Sequence, residues 1–89
     1  MKVLINARFM RSEILYKEII IFDCEISPVL GVPLYCLVVK DPIRRHDRQF
    51  LRYGTSAQLL SFWNGYRFRL RMAKKDREEI EKLLRGLQK

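Results

Sequence analysis

Three arginines recur at every second position in the stretch Tyr66-Arg67-Phe68-Arg69-Leu70-Arg71-Met72. In an extended chain Arg67, Arg69 and Arg71 project from one face at intervals of about 6.5–7 Å, twice the rise of a strand. That spacing is close to the phosphate repeat of an extended nucleic-acid strand, and the guanidinium fork suits phosphate bidentately. Arg44, Arg45 and Arg48, with Lys74 and Lys75 after the run, are candidates to extend the same anion-binding surface. On that surface Phe62 and Leu60 would serve as stacking or packing partners. The competing explanation is a solvated outer strand face, where arginines protect edges and lay their aliphatic stems over apolar neighbours.

Other chemistry finds less support. His46 is the sole histidine and sits among Arg44, Arg45, Asp47 and Arg48. No nucleophile motif, glycine-rich phosphate loop or metal-ligand spacing accompanies it. The carboxylates mostly neighbour Lys or Arg on a helix or lie on outer strand faces, so no acid/base pair stands out. Neither catalysis nor a metal or cofactor is expected. Cys24 and Cys36, eleven residues apart in between, lack the further ligands of a zinc site. In a chain that is not secreted, two cysteines are most often small buried hydrophobes. Pairing stays open, since proteins of hyperthermophiles depart from that redox rule. Few Asn and Gln beside many Lys, Arg and Glu are compatible with a thermophilic source.

The chain of 89 residues carries a net charge of +8, and the excess is localised. Residues 1–39 and 76–89 are each neutral, whereas residues 40–75 hold ten basic side chains against Asp41 and Asp47 alone. Such a concentration makes a local positive potential and points to an anionic partner: a phosphorylated lipid head group, nucleic acid or an acidic protein surface. No run approaches the roughly 20 apolar residues of a membrane span. The N-terminal MKVLINARFMR lacks the pattern of a signal peptide, so a cytoplasmic location is expected, or the host interior for a viral protein.

The elements that would position these residues read as one domain over 1–89. Residues 3–10 form a strand, and Ser12-Glu13 marks a bend. A long strand rich in β-branched and aromatic residues follows from Ile14 to Ile26, with a bulge near Glu18–Ile19. Pro28, Gly31 and Pro33 punctuate a loop before the buried strand 34–39. Residues 41–49 form a polar loop, and 49–53 a short strand ended by Gly54. Residues 55–65 are ambiguous. Thr55 and Gln58 fit a capping box and Gly65 a helix end, whereas Asn64-Gly65 is the strongest hairpin-turn signal. Register favours the hairpin, because pairing across Asn64-Gly65 gathers Trp63, Tyr66, Leu59 and Leu70 on one apolar face and the arginines on the other. The last element is an amphipathic helix with Asp76 as N-cap, Glu79 at the capping-box position and Ile80, Leu83, Leu84 and Leu87 in one stripe.

Strands followed by an arginine-bearing strand and one C-terminal helix resemble the small prokaryotic domains of the pleckstrin-homology-like superfold. The likeness is carried by ILYKEIIIF (14–22) and by GYRFRLRMAKKDREEIEKLL (65–84). It implies an α+β domain: a strongly curved antiparallel sheet or partly open barrel of five to seven strands, with one C-terminal helix. That superfold hosts lipid binding, peptide binding and scaffolding, so it does not fix a function. The expectation is a non-enzymatic basic module with an anionic partner. The alternative is a nucleic-acid-binding protein using the Arg67/Arg69/Arg71 strand face. A rival assembly role would pair apolar sheet edges around residues 14–22, with Phe62 and Leu60, into a homodimer.

Overall fold

A computed structural model describes residues 2–43, 48–69 and 72–88. Four strands form one antiparallel sheet in the order β1 (Val3–Arg11), β2 (Ile14–Ile26), β3 (Pro33–Asp41), β4 (Arg48–Gly54). Each strand pairs with its sequence neighbour, a meander whose edges are β1 and β4. Two helices follow, α1 (Ser56–Tyr66) and α2 (Lys74–Gly86), joined through a 3₁₀ turn at Arg67–Arg69. The described residues thus give an α+β fold with four strands and two helices, in place of five to seven strands and one helix.

The hairpin expected across Asn64-Gly65 is corrected to helix over Ser56–Tyr66, followed by a 3₁₀ turn at Arg67–Arg69. Thr55 Oγ1 accepts from the Gln58 amide at 3.1 Å while Gln58 Oε1 accepts from the Thr55 amide at 2.9 Å, a complete capping box. Leu59 and Trp63, at i and i+4, both point into the core and are fully enclosed. Phe62 stacks on Tyr66, again at i and i+4, with ring centroids 5.2 Å apart. A strand would have turned Leu60 and Phe62 away from Leu59 and Trp63; a helix brings all four within reach of apolar neighbours. The Asn64-Gly65 turn signal loses to that packing.

Both helices cover one face of the sheet. Phe9, Ile19, Ile21, Leu37 and Val39 from the strands meet Leu59, Trp63, Met72, Ile80 and Leu84. The Trp63 indole also donates to the Arg77 carbonyl at 3.3 Å, locking α1 to α2. Asp76 is not the N-cap of α2. Ala73 holds that place without a side-chain cap, and Asp76 lies inside the first turn. There its carboxylate accepts a hydrogen bond from the Tyr16 hydroxyl of β2.

The bulge in β2 comes two residues before the expected place. Phe9 pairs with Lys17 but Met10 pairs with Leu15, which leaves Tyr16 as the extra residue. The bulge turns two successive side chains, Tyr16 and Lys17, inward. The β1–β2 turn itself places Ser12 (φ 51°) and Glu13 (φ 68°) at positive φ, as a two-residue type I′ turn requires.

Antiparallel order sorts the connections into two ends of a molecule measuring 43 × 23 × 19 Å. At one end lie the β1–β2 turn, the end of β3, the beginning of β4 and the start of α2. At the other lie the β2–β3 loop, the start of α1 and the end of α2, where Val32, Pro33, Ser56 and Leu87 line a common cleft.

Candidate anion-binding site

The site is built where α1 hands over to α2. Arg67 closes α1, and its guanidinium reaches Glu81 of α2 at 3.2 Å. Glu81 is shared with Arg85 at 2.8 Å, so Arg67 braces the two helices as well as adding charge. Arg69 is exposed on the 3₁₀ turn. Lys74 and Lys75 are exposed on the first turn of α2. Lys74 lies 3.9 Å from Glu78, and with 82% of its side chain exposed the pair is a loose one. Arg67, Lys74, Arg77 and Glu78 line a notch of about 130 Å³.

Electrostatics at this spot run against the ordinary rule for helices. The N-terminus of a helix carries the positive end of the dipole and favours acidic side chains. Here Ala73 provides no cap and the first turn holds Lys74 and Lys75 beside Asp76. Each lysine works against the dipole by about 0.3–1 kcal/mol. The unbonded N–H groups of the first turn and the exposed Lys74 and Lys75 therefore lie at the same end of α2.

At the same end of the sheet lies an enclosed ion pair. Antiparallel pairing of Glu18 with Lys40 sets Lys17 opposite Asp41. Lys17 Nζ and Asp41 Oδ2 are 2.8 Å apart with side chains only 4% and 11% exposed. This enclosed ion pair accounts for one of the two acids of the basic segment. Tyr16 is sandwiched beside it, with the Arg11 guanidinium 4.7 Å and the Lys17 ammonium 5.9 Å from its ring centre. Burial, and then the hydrogen bond to Asp76, raise the Tyr16 phenol above its usual 10.0.

Of the residues expected to bind anions, Arg67 and Lys74 share the notch, while Arg69 and Lys75 are exposed close to them in sequence. Arg67 and Arg69 stand on a 3₁₀ turn, so their one-sided ladder is overturned: a 3₁₀ turn rotates successive side chains by about a third of a turn. Arg44, Arg45 and Arg71 lie outside the described residues, as does His46. Arg48 opens β4 at the same end of the sheet, where it pairs with Asp41. Sequence reasoning missed Arg77, whose signal was its place one turn into the uncapped helix. Phe62 and Leu60 do not join a stacking surface at this site. Both pack against the core, and Arg52 of β4 lies over the Phe62 ring at 4.7 Å.

Cys24 and Cys36 are thiols, as the sequence allowed. Among the described residues no cluster of His, Cys, Asp and Glu could hold a metal ion, and no helix is long and apolar enough to cross a membrane. No family model, no curated protein and no solved structure matches the chain.

Proposed function

We propose that this chain is a non-enzymatic binding module whose basic end contacts the phosphate groups of an anionic partner. The observation that carries it is the uncapped start of α2, where Lys74 and Lys75 stand against the helix dipole beside Arg67 and Arg69. Residues that oppose local stability are retained where they serve a contact. A bound phosphate would meet backbone N–H groups and cations together and relieve that conflict. The meander and C-terminal helix support kinship with the pleckstrin-homology-like superfold. In this reading the contact lies at the helix junction, on neither a strand face nor a barrel mouth.

The test is a salt titration of binding to mixed-sequence single- and double-stranded nucleic acid, run beside vesicles bearing phosphorylated lipids. For duplex, log affinity falls with log salt by about 0.9 per phosphate neutralised. Replacing Arg69, Lys74 and Lys75 together by Ala flattens the slope by roughly 2–3. Arg67 is left in place because it braces α2. Binding confined to one phosphorylated lipid would make the partner a head group. Absence of binding to every probe at about 50 mM salt, where such contacts are strongest, overturns the proposal.

A further inference from the structure

The helices leave one face of the sheet uncovered, and its residues fall into ordered rows. Arg8, Glu18 and Lys40 stand side by side on β1, β2 and β3, with Glu18 lying 3.4 Å from Arg8 and 3.9 Å from Lys40. The next row is Asn6, Ile20, Val38 and Leu51, apolar except at its β1 end, and the one after it Val3, Phe22, Cys36 and Tyr53. The last is Glu25, which accepts from the Tyr53 hydroxyl at 3.0 Å across the intervening strand. One end of this face is net positive, the middle is apolar and the other end is acidic. Leu51 and Tyr53 remain 60% and 54% exposed on it. Ile20 and Val38 are themselves buried beneath their row neighbours, so the exposed apolar surface of these rows is Leu51 and Tyr53 on β4, flanked by the half-buried Phe22 and Cys36. An exposed apolar patch beside ordered charges suits an interface.

We propose that this face is covered by a second copy of the chain, stacked sheet on sheet about a two-fold axis that crosses the strands. A two-fold interface must be complementary to itself. Rotation about a crossing axis lays the Arg8–Lys40 row of one copy over Glu25 of the other and apolar rows over apolar rows. Rotation about an axis along the strands would oppose like charges. The crossing axis also sends the two basic ends to opposite ends of the sandwich, which keeps two chains of net charge +8 from repelling at close range. Four strands about 4.8 Å apart and four rows about 6.7 Å apart give roughly 500 Å² per copy. The total of roughly 1,000 Å² meets the lower bound for a specific interface. Pairing through the edges of residues 14–22 is not open to this chain, because β2 lies between β1 and β3 with both edges bonded.

The test is sedimentation equilibrium of the wild-type chain from about 10 µM to about 1 mM, with thiol-reagent kinetics on the same samples. A monomer–dimer equilibrium is expected, with the reaction rate of Cys36 falling as dimer forms. Leu51→Glu changes a side chain that is already exposed; it shifts the equilibrium to monomer while leaving the melting curve of dilute protein in place. Glu25→Lys weakens the dimer by about tenfold, and adding Lys40→Glu restores it. A chain that stays monomeric at the highest concentration overturns the proposal, as does a dimer unmoved by Leu51→Glu. A Cys36 rate independent of concentration, or failure of Lys40→Glu to rescue, removes the crossing-axis stack.

Discussion

Tyr16 shows how much one displaced residue organises. As the extra residue of the β2 bulge it turns inward beside Lys17, and its hydroxyl ties β2 to the first turn of α2 through Asp76. Its phenol is raised by burial and by that hydrogen bond. The folded state therefore holds the proton to higher pH than the unfolded chain. Stability from this group is fully present below the usual 10.0 and is lost as pH rises through the folded value. Tyr16→Phe is expected to cost about 1–2 kcal/mol near neutrality, through loss of the hydrogen bond to a carboxylate. It should also make the alkaline fall in melting temperature shallower. Tyr53, raised first by its hydrogen bond to Glu25, keeps the remaining slope from vanishing. Melting curves from about pH 8 to about pH 11 check both effects, and parallel profiles for the two proteins would refute the linkage.

Elements were legible where burial and periodicity agreed. All four observed strands lay within about two residues of their expected bounds, because β-branched runs and the Pro28–Gly31–Pro33 punctuation left few alternatives. The C-terminal helix was legible from Ile80 and Leu84, now buried. Its start was not, since Asp76 satisfies an N-cap rule locally while Tyr16, sixty positions away, claims its carboxylate. Residues 55–66 carried two valid local signals, and the choice belonged to tertiary packing: Trp63 needed both the sheet and the Arg77 carbonyl. The arginine ladder fell with that choice, while Arg67 and Lys74 line one notch. Gly65 now discriminates the two outcomes. Its added Cβ meets nothing within 4 Å, so Gly65→Ala should stabilise α1 by about 0.5–1 kcal/mol. For a domain of this size that raises the melting temperature by several degrees, roughly 4–8 °C per kcal/mol. A type I′ hairpin turn, needing positive φ at that position, would instead be destabilised by the same change.

At the scale of the whole molecule, the proposed site draws on a charge excess that the sequence confines to residues 40–75. Residues 1–39 and 76–89 are neutral and supply most of the core, whereas the segment between them returns twice to one end of the sheet, at the β3–β4 junction and at the helix junction. One of its two acids, Asp41, is already neutralised by the enclosed Lys17. A stacked dimer would hold two such ends apart, and a flexible or extended polyanion could then engage both, gaining avidity without any new contact. If Lys74 and Lys75 bind anions as proposed, that binding and the stability of α2 are in opposition there, which would separate a binding surface from a merely soluble one. Changing both to Glu reverses two unfavourable dipole contacts, about 1–4 kcal/mol in total. Against this, about 0.5–1 kcal/mol is lost as the Lys74–Glu78 pair becomes like-charged. The fold should therefore be stabilised by about 1 kcal/mol or more, while affinity for phosphate-bearing probes is abolished. Thermal melting and binding at about 50 mM salt measure the two effects on one protein. A variant that melts higher and still binds would move the contact away from the helix junction. One that melts lower would show that the lysines support α2 through contacts stronger than the dipole they oppose.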